Sequence, residues 1–110
     1  MKMTDIPFGT TDWSMVPETH HAGITGSATW RTGNFGAIRV RMVTYSPGYL
    51  ADHWCSKGHI LLCLEGELNT ELEDGRTFVL RPGMSYQVAD GAEPHRSSTG
   101  AAGAKLFIVD

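Results

Sequence analysis

Histidine and cysteine side chains crowd into one short stretch of the chain, which contains His53, Cys55 and His59. In an extended strand, His53 and Cys55 would be two residues apart and would point to the same face. Gly58 favours a turn just before the third residue, so a strand, a turn and a strand could aim all three side chains at one point. Imidazole and thiolate groups suit zinc, iron, nickel or copper better than magnesium or calcium. The spacing therefore predicts a transition-metal site, with three separate structural side chains as the alternative.

The remaining histidines and the second cysteine have simpler interpretations. His95 follows a Gly-Ala-Glu-Pro sequence and can join the site only if the fold brings it close. His20 and His21 are adjacent and would face opposite ways in a strand, so we expect a surface or subunit contact. Cys63 lies in an apolar stretch and is predicted to be a small core residue. A disulfide to Cys55 is disfavoured, because the intervening turn does not place the two thiols opposite each other.

Short alternating stretches predict the strands that would position these side chains. Residues 67–73 alternate between apolar and polar side chains, as in a strand with one dry face and one wet face. An Asp-Gly dipeptide then indicates a hairpin turn, and residues 77–80 form the return strand. Residues 85–88 form another short strand after a Pro-Gly turn.

Other parts of the chain complete an all-β prediction. Residues 25–31 and 37–45 are predicted to pair across a Gly-Asn-Phe-Gly turn, and the apolar residues 60–64 and 105–109 are predicted to be buried strands. No long stretch carries an apolar stripe of helical period. About eight or nine short strands in a chain of this length predict a closed barrel or a two-sheet sandwich. In the predicted strand of residues 37–45, Ile38, Val40 and Met42 share one face, and Arg39 and Arg41 share the other.

Length and composition limit the class of protein. The chain has 110 residues, enough for one domain, and its 41% hydrophobic and 19% charged residues are typical of a folded globule. The net charge of -3 argues against a nucleic-acid partner. No apolar stretch approaches the ~20 residues of a membrane-spanning helix. No apolar signal region follows the first residues, so we expect a cytoplasmic protein with no membrane partner.

The order of these pieces resembles the two sequence motifs of the cupin superfamily. The first motif has a glycine, a His-x-His pair, a glutamate shortly after it and a closing glycine; the second has a glycine, a proline-glycine turn and a histidine. The match covers residues 46–99, about half of the chain. The sequence is most similar to small stand-alone bacterial cupins with an Asp-His-Cys-Trp-type signature, which stands here as Asp52-His53-Trp54-Cys55. The matching residues are Pro47, Gly48, His53, Cys55, His59, Gly66, Pro82, Gly83, Gly91, Pro94 and His95.

The resemblance implies a metal site, with two departures from the family pattern. His53 stands at the first histidine of the pair, and His95 stands at the histidine of the second motif. Cys55 replaces the second histidine, His59 replaces the glutamate, and Thr99 stands where an asparagine is usual. The implied ligands are three imidazoles with an optional thiolate, a softer set that favours zinc, iron(II) or copper. We expect one divalent transition metal ion per chain, with Zn, Fe(II) and Ni as the candidates.

The resemblance also implies a fold and a pocket. It indicates an all-β, single-domain cupin, a double-stranded β-helix or jelly-roll barrel, over residues 19–110. Residues 1–18 would form an irregular segment that packs on the barrel through Phe8 and Trp13. A homodimer is expected through the edge strand near residues 20–31. The barrel would admit a small-molecule ligand, with pocket candidates Tyr49, Met84, Tyr86, Gln87, Arg96 and Phe107, and with Glu93 and Tyr86 as acid or base candidates.

Two functions remain open at this point. One is a metal-dependent enzyme for a small organic molecule: an iron(II) dioxygenase, or a lyase or isomerase in which the metal polarises a carbonyl group. The other is a non-catalytic module that binds a small molecule or is stabilised by its metal. Four protein ligands around tetrahedral zinc would close the site, whereas three histidines around iron would leave positions open for a substrate.

Overall fold

The computed structural model describes residues 3–110, and antiparallel strands form most of it. A short 3-10 helix, Trp13–Met15, precedes the strands. The all-β prediction is confirmed. The strands are β1 (Glu18–Ala22), β2 (Ser27–Phe35), β3 (Ile38–Tyr45), β4 (His59–Leu72), β5 (Thr77–Leu80), β6 (Ser85–Val88) and β7 (His95–Val109).

Two strands dominate the architecture because each runs the length of the molecule. In sheet order β1-β2-β3-β7-β4-β5, the long strands β4 and β7 lie side by side, and β6 also pairs with β4. The first part of β4 pairs with β6, and its later part pairs with β5. The long pair bends midway, so the sheet folds over into two facing layers with the core between them.

Glycines allow the bend of the long strands. Gly66 lies where the β4–β7 register shifts, and its φ of 74° is a conformation that other residues rarely adopt. A Cβ atom at this position would lie 2.2 Å from the carbonyl oxygen of Gly103, which itself has a φ of 64°. This close approach explains why residues 60–64 and 67–73, expected as separate strands, form one bent strand.

A compact apolar cluster holds the two layers together. Leu61, Cys63 and Leu68 on β4 are buried against Leu106 and Ile108 on β7. Burial of each such side chain contributes about 1.5–3 kcal/mol to folding. Cys63 is therefore a core residue, as predicted, and both cysteines are free thiols.

The segment after β3 positions the candidate ligands without forming a regular strand. Leu50 bridges to Ser98, and Cys55 bridges to His95, each in antiparallel fashion on the outer side of β7. The amide of Cys55 donates to the carbonyl of His95 over 2.8 Å, and the amide of His95 donates in return over 3.0 Å. A second-motif histidine is thus held beside a first-motif cysteine.

The first described residues only partly match the expectation for the N-terminal segment. Trp13 is half-buried, but Phe8 is 98% exposed, so the prediction that its ring packs on the barrel is wrong. The boundary between residues 1–18 and 19–110 stays a prediction. Among the described residues, no helix is long and apolar enough to cross a membrane.

Candidate metal centre

Two buried imidazole rings face each other between the layers. His59 begins β4 and His95 begins β7, and β7 pairs with β4 so that His95 lies opposite Leu72. Their Nε2 atoms are 3.0 Å apart, and the rings meet edge to face with centroids 4.8 Å apart. Both side chains are almost fully withdrawn from solvent. The fold therefore brings together one ligand candidate from each cupin motif.

Hydrogen bonds determine which nitrogen of each ring is free. Nδ1 of His95 donates to the carbonyl oxygen of Glu93 over 2.9 Å, so Nε2 of a neutral His95 carries a lone pair. Nδ1 of His59 is buried without a hydrogen-bond partner, 3.7 Å from Oδ2 of Asp110. A proton on Nδ1 suits this carboxylate but leaves two lone pairs facing each other. A proton on Nε2 of His59 can be donated to Nε2 of His95, but the lone pair of His59 Nδ1 then faces the carboxylate of Asp110.

A proton shared between the rings does not resolve this conflict near neutral pH. Burial, and then the charge of His95, lower the pKa of His59 to about 4. A divalent cation would satisfy both lone pairs. Two imidazole nitrogens ~2.1 Å from one ion and at about a right angle to each other would be ~3 Å apart. The two rings therefore fit a metal ion in chemistry and in spacing.

Tyr86 on β6 is the third polar group at this point. Its hydroxyl group lies 2.9 Å from Nε2 of His59 and can donate its proton there. Burial raises the pKa of Tyr86 well above its ordinary value, so the phenol stays protonated. Tyr86, a predicted acid–base candidate, thus lies where a small molecule would meet the two histidines.

A buried carboxylate supports His59 from the side away from His95. Asp110 has a side chain only 1% exposed, and it accepts hydrogen bonds from Arg39 over 2.8 and 2.9 Å and from Arg41 over 3.0 Å. Burial tends to raise the pKa of Asp110, but the hydrogen bond from Arg39 and the charge of Arg41 outweigh it and lower the pKa. The ionised carboxylate can then orient Nδ1–H of His59, as carboxylates commonly do for metal-binding histidines.

The arginine network is a part of the site that sequence reasoning missed. Alternation placed Arg39 and Arg41 on one face of the strand but did not say whether that face is inside. Val43 and Tyr45 share the same parity, and Val43 is completely buried. Two apolar residues in register with two arginines were the available signal that the face is internal.

The histidines open onto a cavity of about 260 Å³, here called the central chamber. All four predicted metal ligands, His53, Cys55, His59 and His95, are among its lining residues. The lining residues are Trp30, Arg39, Arg41, Tyr45, Tyr49, Ala51, His53, Cys55, Lys57, His59, Leu61, Tyr86, His95, Arg96, Ser97, Ile108 and Asp110.

The four predicted ligands do not all converge. His53 is 74% exposed, and its Nδ1 atom lies 2.7 Å from Oδ1 of its neighbour Asp52. Cys55 lines the chamber, and its backbone pairs with that of His95. Within residues 3–110, no group of three or more His, Cys, Asp or Glu side chains is close enough to hold a metal ion. The structure thus assembles the two histidines and leaves the others nearby.

The predicted pocket residues divide between two cavities. Tyr49, Tyr86 and Arg96 line the central chamber, although the guanidinium group of Arg96 pairs with Glu71 at 3.1 Å. A second cavity of about 330 Å³, the side chamber, shares Tyr86 and His95 with the first. The side chamber is lined by Met84, Gln87 and Glu93, whose carboxylate pairs with Arg76, while Phe107 lines neither cavity.

Comparison with solved structures identifies the fold as the cupin jelly roll. No family model and no curated protein matches the chain. The polyketide cyclase RemF from Streptomyces resistomycificus is 22% identical, with a TM-score of 0.78, over 94% of this chain and 78% of that chain. An RmlC-like cupin from Shewanella frigidimarina is 16% identical, with a TM-score of 0.69, over 96% of this chain and 92% of that one. Iron(II)-bound HppE is 17% identical, with a TM-score of 0.75, over 93% of this chain but only 59% of its own.

Proposed function

We propose that this chain, which has the cupin fold, is a metal-dependent enzyme that acts on a small organic molecule inside its barrel. The observation that carries the proposal is the pair of buried imidazoles whose Nε2 atoms lie 3.0 Å apart and face the central chamber. His59 and His95 would hold the metal ion. Cys55 or His53, which line the same chamber, would supply further ligands. This donor set suits Zn, Fe(II) or Ni.

The groups behind the two histidines support this role. The carbonyl oxygen of Glu93 keeps the proton of His95 on Nδ1, and the carboxylate of Asp110 favours the same tautomer in His59. Both Nε2 atoms are then free to bind a cation. Outer hydrogen bonds of this kind commonly orient metal-binding histidines and raise their basicity.

The chamber offers a place for a substrate beside this pair. When bound, a divalent metal would polarise a substrate oxygen or activate a small co-substrate at an open coordination position. Tyr86 remains protonated because burial raises its pKa, so it can donate a hydrogen bond or a proton to a substrate oxygen. Oxygenase, lyase and isomerase chemistry all use these elements, and several solved neighbours of the fold are enzymes.

The test is metal binding combined with a probe for an open coordination position. Metal-stripped protein should take up about one Fe(II) per chain, and nitric oxide should change the electron paramagnetic resonance spectrum of the loaded protein. His59→Gln and His95→Gln should lose the metal, whereas His20→Gln, at an exposed position, should retain it. A protein that binds no divalent metal would refute the proposal. A metal spectrum that nitric oxide leaves unchanged would favour the non-catalytic module.

A further inference from the structure

We propose that the central chamber binds the carboxylate group of a small, largely apolar organic acid through Arg41. The inference deepens the function proposed above and rests on it for the role of the chamber as the substrate site. It adds the chemical class of the ligand and the residue that recognises it. Three features of the chamber carry it: a buried donor without a partner, an excess of positive charge, and an aromatic lining.

The first feature is the hydrogen bonding of Arg41. Its side chain is only 8% exposed, and one terminal nitrogen donates to Asp110 over 3.0 Å. Its Nε atom is buried and has no hydrogen-bond partner. A buried donor of a charged group that stays unpaired destabilises the fold, because it has lost its hydrogen bonds to water without replacement. An oxyanion inside the chamber would satisfy this donor.

The second feature is the balance of charge around the chamber. Four cationic side chains line it, Arg39, Arg41, Lys57 and Arg96, against one carboxylate, that of Asp110. Arg96 is neutralised by Glu71 outside the chamber, which leaves a cationic excess on the side of Arg41. Burial, and then the charge of Arg39, lower the pKa of Arg41, which is the expected signature of a cation short of anionic partners. A cleft lined by one sign of charge attracts ligands of the opposite sign.

The third feature is the apolar remainder of the wall. The guanidinium group of Arg41 stacks on the ring of Trp30, with its carbon 4.4 Å from the ring centroid. Tyr45 and Tyr49 stack on each other at 4.2 Å, and Leu61 and Ile108 lie nearby in the same lining. With a volume of about 260 Å³, the chamber admits only a small molecule. The unpaired Nε atom of Arg41 beside aromatic side chains suits a monocarboxylate on an apolar body better than a heavily hydrated phosphate dianion.

Calorimetric titration of the as-purified protein with benzoate tests the inference. We expect saturable binding of benzoate and none of benzamide, which has the same shape without the charge. Inorganic phosphate and phenyl phosphate are titrated in the same way. If either binds more tightly than benzoate, the chamber is a phosphate site and the proposed carboxylate specificity is wrong. Arg41→Met should weaken benzoate binding by about tenfold or more. The same change at Arg81, an exposed arginine outside the chamber, should leave it within about twofold.

A second readout protects the test against a variant that fails to fold. Trp30 touches Arg41, so its indole N–H resonance should shift during titration of the unmodified protein, and Trp30→Phe identifies the signal. No saturable benzoate binding and no indole shift in wild-type protein would overturn the inference. Equal benzoate affinity of folded Arg41→Met would overturn it as well.

Repeating the titration after metal removal separates this inference from the proposed function. Carboxylate binding by a protein that never holds a metal would refute the metal-dependent enzyme and keep the anion site. Metal binding without carboxylate or phosphate binding would refute the anion site and keep the metal-dependent enzyme. Each failure therefore has its own pattern.

Discussion

The buried carboxylate of Asp110 gives the sharpest stability prediction. Asp110→Asn preserves the shape of the side chain but removes the charge that compensates Arg39 and Arg41. Both carboxylate oxygens accept from arginine donors, whereas asparagine keeps only one accepting oxygen, so the change removes the charge and part of the hydrogen bonding together. The expected result is a large loss of stability together with a weakened support for His59.

The magnitude depends on which arginine loses its partner. Arg41 is 8% exposed, and removing one member of a buried ion pair typically lowers the free energy of unfolding by about 3–5 kcal/mol. Arg39 is about a third exposed, so solvent screens its pair and reduces its share to less than about 1 kcal/mol. The two arginines share one carboxylate, so their contributions do not add. We expect a total loss of about 3 kcal/mol.

Urea denaturation of matched variants measures this loss. Glu71→Gln removes the partially exposed partner of Arg96 and should lower the free energy of unfolding by less than about 1 kcal/mol. Arg41→Met combined with Asp110→Asn should recover at least about 1 kcal/mol relative to Asp110→Asn alone, because the uncompensated charge is gone. If Asp110→Asn stayed within about 0.5 kcal/mol of wild type, or the double variant recovered nothing, the account of the network would be wrong.

Three further predictions concern the fold and the assembly. Because the pKa of His59 is lowered to about 4, protons bind the unfolded chain before the folded one as the pH falls below about 6.5. Metal-free protein should therefore lose up to about 3 kcal/mol of stability between about pH 6.5 and 4, and His59→Gln should flatten that part of a urea-midpoint profile. Leu106→Ala, in the fully buried core, should lower the free energy of unfolding by about 2–5 kcal/mol. Ile60 is half-exposed, so Ile60→Ala should lower it by less than about 1 kcal/mol. Similar losses at both sites would contradict the assigned core. We also propose a homodimer through the edge strand β1, so light scattering should give about twice the 12.0 kDa of one chain, and the mass of a single chain would count against it.

Local turn chemistry explains which strands could be predicted. β5 and β6 have the predicted bounds because the Asp-Gly and Pro-Gly turns beside them depend only on neighbouring residues. β4 was predicted as two pieces because residues 60–64 form an apolar run, whereas residues 67–73 alternate between apolar and polar side chains, and Gly66 lies between them. Its actual role depends on the approach of Gly103, which is distant in sequence and becomes visible only in the folded chain.

Only part of the candidate site could be predicted, because the rest depends on contacts between residues that are distant in sequence. Resemblance to the cupin motifs named His59 and His95, but their 3.0 Å approach joins opposite ends of the β4–β7 pair, because His95 pairs with Leu72 while His59 adjoins the Ile60–Val109 end. Alternation could show that Arg39 and Arg41 share a face, but not that the face is internal. Long-range register decides both points, and a local pattern does not contain it.

The metal content of purified protein tests the central claim most directly. Elemental analysis after expression in metal-replete medium should find about one divalent transition metal ion per chain in wild type. It should find almost none in folded His95→Gln, because that change removes one of the two facing nitrogens. A metal-free wild type at neutral pH, or a His95→Gln variant with full occupancy, would contradict the claim that the two imidazoles form a metal centre.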